Sequence, residues 1–153
     1  MNTILEKPAY ENIVDRINKL SPTSERNWGK MTPNQMLCHL SDPMRDILGI
    51  RAMQPLLPPA VQQQLKGLVL RDNNWEHDLQ TFPPYSQDED GGGTKPISFE
   101  QDRKTLVDLL NQLHNTPVDF TFHPHAGLNI LSRDEFGVYA WNHADYHLKQ
   151  FGV

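Results

Sequence analysis

Three Ser/Thr-x-x-Gln/Glu motifs, each followed by apolar residues at helical spacing, constrain the fold more than any other feature of the sequence. They begin at Thr32, Ser98 and Ser132. In such a capping box the hydroxyl accepts a hydrogen bond from the backbone N–H three residues later, and the Gln or Glu side chain accepts one from the N–H of the first residue. We therefore predict three helices that begin at these residues, the last continuing to about Gln150.

The second predicted helix contains Pro43, which has no N–H to donate to the carbonyl of His39. One interpretation is a single bent helix that ends near Gly49. The alternative is an end at Ser41, followed by a new turn that Asp42 caps. Apolar residues continue at helical spacing after the proline, and this continuation favours the single helix.

The rest of the chain predicts one further long helix and a long irregular connection. Apolar spacing indicates an amphipathic helix from about Ile4 to Leu20. The segment from Ile50 to Pro96 is rich in proline, with one short helix expected at 60–70 and a solvated, flexible acidic and glycine-rich tip at 88–93. A connection of this length is either a surface excursion or a lid or wall of a pocket.

Together these elements predict an all-α fold with four principal helices and one long irregular crossover. Residues 115–129 are expected to form a loop that contains at most one short strand. Helices joined in this way favour a four-helix bundle, formed by residues 1–153 as a single domain.

The composition excludes several classes of function. Nineteen acidic residues against 14 Lys and Arg give a formal charge of −5, which argues against a nucleic-acid partner. The single cysteine cannot form an internal disulfide, and the N-terminus has no secretory-signal pattern, so we expect a cytoplasmic protein. No apolar stretch reaches the length of about 18 residues that a membrane span requires.

The candidate functional residues are three histidines. His143 and His147 are four residues apart on the predicted last helix, so both rings project from one face. That face continues an apolar stripe, and buried imidazoles need partners, which a divalent cation can supply. His39, in the apolar run of the second helix, is the candidate third ligand. Spacing alone does not place it beside the other two.

These motifs resemble those of the DinB/YfiT-like superfamily of metalloenzymes. The resemblance runs from about Trp28 to the C-terminus and rests on the Gln-Met-Leu-Cys-His-Leu run that contains His39 and on His143-x-x-x-His147 followed by Leu-Lys-Gln-Phe-Gly. It is strongest to an uncharacterised branch whose last helix ends in His-Leu-x-Gln-Phe-Gly. It implies a four-helix bundle that binds a divalent ion, most often zinc or nickel, through His39, His143 and His147.

The resemblance also implies a homodimer that acts on a small molecule. Some relatives transfer low-molecular-weight thiols to electrophiles, and others are proposed hydrolases or isomerases. We therefore expect a metal-dependent enzyme that activates a thiol or water. The alternatives are a non-catalytic bundle with structural or adventitious metal, and a ligand carrier with a large apolar cavity.

Other polar residues near the histidines have more than one interpretation each. Asp42, three residues after His39, is the candidate general base or orienting carboxylate, or else a helix cap or solvated acid. Asp46, one turn further along, is a weaker candidate. His125 either lies at the surface with His123, or lines the pocket, or becomes an additional ligand.

Three residues are expected to take no part in the chemistry. Asp145 should point away from both proposed ligands of its helix, and Cys38 should be a buried apolar group. Trp28 is expected to serve in packing.

Overall fold

A computed structural model shows an all-α protein and describes residues 1–72, 74–77 and 79–153. Within these residues there are five α-helices and one short 3-10 helix. The α-helices are α1 Lys7–Lys19, α2 Pro33–Ile47, α3 Pro59–Arg71, α4 Phe99–His114 and α5 Arg133–Gln150; the 3-10 helix is Pro83–Tyr85. All five predicted helices are present, α1 beginning three residues later than expected.

Two of the three predicted capping boxes are complete. Thr32 accepts from the N–H of Gln35 at 3.2 Å and donates its own N–H to the Gln35 side chain at 2.9 Å. Ser132 forms the same pair of hydrogen bonds with Glu135. At Ser98, the described hydrogen bonds include only the serine half of the box.

Helix α2 runs through Pro43 without a break, as the single-helix interpretation predicted. The helix ends at Ile47, and Gly49, two residues later, has a φ of +76° and donates its N–H to the Asp46 carbonyl, while the N–H of Ile50 donates to the Arg45 carbonyl. This is the Schellman arrangement, in which a left-handed residue, usually glycine, pairs the last carbonyls of the helix. The ends of α2 are therefore specified locally, and they fix where His39 lies.

The core is formed by the apolar faces of four helices. α2 packs against α4 and α5, and α1 also packs against both of these helices. Fully buried side chains from each helix meet in it, including Ile13, Met36, Leu110, Phe136 and Leu148. None of the described helices combines the length and hydrophobicity that crossing a lipid bilayer requires.

The segment between α2 and α4 folds against the helices. α3 packs on α5, and the 3-10 helix packs on α2. The acidic and glycine-rich stretch turns back on the residues after the 3-10 helix, where Gly93 donates its N–H to the Ser86 carbonyl. A Cβ atom on Gly91 would lie 2.2 Å from that carbonyl oxygen, so the close approach requires glycine.

Residues 115–129 form the predicted loop, and the described residues contain no strand there. One isolated antiparallel bridge joins His125 and Asn129. This bridge closes a tight loop that carries His125 into the interior, where its side chain is 4 % exposed.

Candidate metal centre

Three histidines from two helices meet in the interior. α2 supplies His39, and α5 supplies His143 and His147 from successive turns. All three are buried, and their ring centroids are separated by 4.8 to 5.0 Å. The residues that the sequence singled out as ligands are therefore brought together.

One pair of ring nitrogens in the cluster lies close to the separation of two ligands of one metal ion. Nε2 of His39 is 3.0 Å from Nε2 of His143, and one ring nitrogen of each histidine lies within 4.8 Å of the others. Two nitrogens that bind one zinc ion tetrahedrally at about 2.0–2.1 Å would be about 3.3 Å apart. Small side-chain shifts would therefore let all three rings reach a common ion.

Hydrogen bonds orient two of these rings so that Nε2 is free to bind. His39 Nδ1 is 2.9 Å from the backbone carbonyl of Tyr85, which can only accept, so Nδ1 carries the proton. His147 Nδ1 is 2.8 Å from Oε1 of Gln150, and the amide of Gln150 is fixed because its Nε2 donates to the Trp28 carbonyl. Metal-binding histidines in proteins usually donate their second ring N–H in this way.

The third ring, that of His143, has a hydroxyl partner. Tyr139, one turn earlier on α5, places Oη 3.3 Å from Nδ1 of His143 and 3.0 Å from Nε2 of His125. Nδ1 of His125 accepts the backbone N–H groups of Gly127 and Leu128. Tyr139 and His125 thus form a second layer of polar contacts behind the cluster.

The interior environment keeps these groups uncharged. Burial lowers the pKa of His39, His143, His147 and His125, to about 3 for the last two, and the neighbouring rings lower that of His143 further. Burial also raises the pKa of Tyr139, so its hydroxyl keeps its proton. Neutral imidazole is the form that binds metal ions.

A cavity of about 1070 Å³ opens onto the cluster, and all three histidines line it. Many of its walls come from residues 57–91, so the long connection is a wall of a pocket as well as a surface excursion. Aromatic and aliphatic side chains dominate, including Trp28, Leu65, Trp75, Phe82 and Tyr146. This volume is large enough for a drug-sized ligand.

Two polar atoms of cavity residues have no hydrogen-bond partner in the described part of the chain. They are Nε1 of Trp28, a donor, and Oε1 of Gln87, an acceptor. Nε2 of Gln87 donates to Asp42, and this fixes the orientation of the amide. A buried polar atom without a partner is costly, and because both atoms are shielded from solvent, a polar group of a ligand would reach them only after a side-chain shift. Trp28, predicted to serve in packing, also lines the cavity.

The structure gives Asp42 a role different from the predicted general base. Its carboxylate accepts from Thr94 through both N–H and hydroxyl, at 2.8 and 2.6 Å, and from Gln87 and Arg45 at 3.0 Å. It is fully buried and is not among the described residues that line the cavity. Spacing correctly placed Asp42 on the face of His39, but its oxygens fasten the 86–95 segment to α2.

Other predicted residues lie where their spacing indicated. Asp145 points away from the cluster and pairs with Arg16 at 2.5 Å, and Asp46 pairs with Arg51. Cys38 is buried, and desolvation raises the pKa of its thiol to about 12, so it is a poor nucleophile.

The two loop histidines separate. His123 is exposed, whereas His125 lines the cavity without joining the three-histidine cluster, so the surface-pair interpretation was wrong for His125. The sequence analysis missed Tyr139 and Gln150 as partners of the cluster. Their spacing from His143 and His147, four residues before and three after, was the available signal.

Comparisons with protein-family models, curated proteins and solved structures give no match for this chain.

Proposed function

We propose that this protein is a metal-dependent enzyme that uses His39, His143 and His147 to hold a divalent ion at the base of the cavity. One observation carries the proposal: three buried, neutral imidazoles converge where a large cavity meets the core. A site intended only for structure would be closed by a fourth protein ligand, whereas a catalytic site keeps a position open to the reactant. The cluster has three ligands and faces a cavity, which supports catalysis.

The donor set fits a borderline transition ion. In two of the rings Nδ1–H donates to a backbone or amide oxygen, which leaves Nε2 available to bind an ion. None of the three rings has to lose a proton at neutral pH before it can bind. Imidazole ligands suit zinc and nickel, and these are the ions we propose. When bound, such an ion supplies Lewis acidity that lowers the pKa of a water or thiol ligand.

The chain's own residues would select and hold the substrate. Trp28, Trp75 and Tyr146 provide apolar walls, and Gln87 provides an unpaired acceptor. These features favour a small organic molecule with an apolar body and at least one polar group. We propose that a thiol or water attacks this substrate beside the histidines, in a thiol transferase or a hydrolase type of reaction.

The remaining expectations belong to the same proposal. The resemblance to the DinB/YfiT-like superfamily supports a four-helix bundle made by α1, α2, α4 and α5, together with a homodimer. It also supports a low-molecular-weight thiol as one reactant. The single cysteine and the absence of a secretory-signal pattern support a cytoplasmic location.

A second candidate is a non-catalytic helical protein in which metal binding is structural or adventitious. The contact that favours it is the 3.0 Å approach of His39 Nε2 to His143 Nε2, which lies within hydrogen-bond distance for two rings without an ion. In that case the cluster would be a hydrogen-bonded part of the core.

Elemental analysis of untagged protein separates the two candidates when it is combined with matched variants. We expect about one zinc or nickel ion per chain in the wild type, because the residues that the structure describes contain one cluster of three donors. His143→Ala should lose the ion, and His123→Ala, which removes an exposed histidine, should retain it. Equal metal content in all three proteins would contradict the site.

Activity then distinguishes an enzyme from a metal-binding scaffold. Metal-loaded and chelator-treated protein would be assayed with thiols plus electrophiles and with ester and amide substrates. Turnover that depends on the metal and on His143 supports the proposal. Stoichiometric metal without turnover on any of these substrates favours the second candidate.

A further inference from the structure

The direction of most hydrogen bonds around the cluster is fixed by groups that can only donate or only accept. Carbonyl oxygens behind His39 and His147 require a proton on Nδ1 of each ring. Backbone N–H groups that point at Nδ1 of His125 require the opposite tautomer there, with the proton on Nε2. Nε2 of His125 therefore donates to the hydroxyl oxygen of Tyr139.

The tautomer of His143 is not fixed by a neighbouring group that can only donate or only accept. Its Nδ1 faces the hydroxyl of Tyr139, which can donate or accept. In the ion-free chain, Nε2 of His39 carries a lone pair, so the 3.0 Å contact requires Nε2–H on His143. Nδ1 of His143 then accepts a hydrogen bond from the Tyr139 hydroxyl. The three hydrogen bonds therefore run in one direction: His125 donates to Tyr139, Tyr139 donates to His143, and His143 donates to His39.

Coordination of an ion through Nε2 of His143 reverses the direction of the hydrogen bond between His143 and Tyr139. Neutral His143 then carries its proton on Nδ1 and donates to Tyr139 Oη, which already accepts from His125. The number of protons on His143 is unchanged, since the ring exchanges one N–H for the other. The hydroxyl proton of Tyr139 can no longer be received by either ring, and Tyr139 lines the cavity.

We propose that Tyr139 is a substrate-binding residue whose hydroxyl donates to His143 in the ion-free protein and to an acceptor oxygen of the substrate in the metal-bound protein. This inference rests on the proposed function, because it requires an ion at the cluster. It narrows the substrate class to molecules with a carbonyl or carboxylate oxygen next to the reacting atom. It also makes Tyr139 an available donor only when the metal is present.

The tautomers can be observed directly by long-range ¹H–¹⁵N correlation spectra of the wild type, with and without Zn²⁺. We expect His143 to change from Nε2–H to Nδ1–H when zinc binds. His39 and His147 should remain Nδ1–H, and His125 should remain Nε2–H. Zinc binding with His143 already Nδ1–H in the ion-free protein would overturn the inference alone, whereas failure to bind zinc would overturn the proposed function as well.

The donation into the cavity is tested by the binding of two small ligands to Co²⁺-loaded protein, followed by visible absorption. Acetate offers a free acceptor oxygen when it binds through the other oxygen, whereas bound imidazole offers none. Tyr139→Phe should weaken acetate binding about tenfold, the effect of one hydrogen bond to a charged acceptor, and should leave imidazole binding within about twofold. Tyr10→Phe is the matched control, because it removes a hydroxyl that donates to Asn111 and does not belong to the described residues that line the cavity.

Equal effects of Tyr139→Phe on acetate and imidazole would show that the hydroxyl acts only on the metal ligands, and this would overturn the inference. The same conclusion follows if Tyr139→Phe and Tyr10→Phe weaken acetate binding equally. The Co²⁺ affinity of each variant is measured first, by titrating the ion into the ion-free protein, so loss of the metal site would be recognised separately.

Discussion

Acid should destabilise the ion-free protein partly through His125, and the slope of stability against pH measures this effect. Burial lowers the pKa of His125 from 6.5 to about 3, with Arg51 as a smaller contributor. As the pH falls, His125 therefore binds a proton near pH 6.5 in the unfolded chain but only near pH 3 in the folded chain. The contribution of neutral His125 to the stability of the folded state is fully present above pH 6.5. It is lost as the pH falls from about 6.5 to about 3.

The magnitude follows from proton linkage. Near the middle of the window the unfolded state holds almost one more proton at this site than the folded state. The free energy of unfolding should then fall by about 1.4 kcal/mol per pH unit because of His125. The lowered pKa values of the three cluster histidines add in the same direction.

A substitution isolates the contribution of His125. In His125→Asn the side-chain oxygen can still accept from the N–H groups of Gly127 and Leu128, but the site no longer titrates. We expect a stability slope that is shallower than that of the wild type by about 1.4 kcal/mol per pH unit. His123→Asn, which changes the exposed histidine of the same loop, is the matched control with which the His125→Asn slope is compared.

The assay is urea unfolding in the presence of a chelator, monitored by far-ultraviolet circular dichroism, at several pH values between 4 and 7. The His125→Asn protein can be less stable at every pH because it loses the contact with Tyr139, so the slope is the quantity to compare. Parallel slopes for the wild type and His125→Asn would mean that His125 binds a proton equally in both states. That result would refute the argument that burial keeps this ring neutral.

Three further predictions concern metal binding and stability. Gln150→Leu should weaken zinc binding by about 10- to 100-fold, as measured by competition with a chelator, because His147 loses the acceptor that orients it. Asp42→Ala should lower the free energy of unfolding by about 3–5 kcal/mol, because it leaves buried donors without their carboxylate; an effect below about 1 kcal/mol would contradict this. Gly91→Ala should destabilise the protein, because the added methyl group would clash with the Ser86 carbonyl oxygen. Gly67→Ala, on α3 with open space around it, should stabilise the protein by about 0.5–1 kcal/mol. Both changes are measured by thermal unfolding.

The helices were predictable because the information that specifies them is local. Thr32, Ser132 and the apolar residues that follow each of them lie within a few turns of one another. The pairing of His143 with His147 is also local, since both lie on one face of α5. The approach of His39 is not local, and it was expected only from the resemblance to a family of metalloenzymes.

The partners of the site were not predictable because they come from segments without periodic sequence. The carbonyl that orients His39 belongs to Tyr85, which is 46 positions away in the proline-rich connection. Asp42 was a candidate general base because it lies three residues after His39, and nothing in the sequence indicated that Thr94, in the same irregular region, would be its partner. The burial of His125 likewise depends on a tight loop closed by a single backbone bridge.

The anchoring of the long connection at its two ends has a consequence for protein engineering. Its first residues bond to the end of α2 through the Arg45 carbonyl, and its last part is fastened by Tyr85 and Thr94 to His39 and Asp42. The residues between these anchors shape much of the cavity but supply none of the three imidazoles. Grafting a different sequence between the anchors should therefore change which molecules enter the cavity while the helices that carry the three histidines stay intact, so that the cavity wall and the cluster can be varied independently.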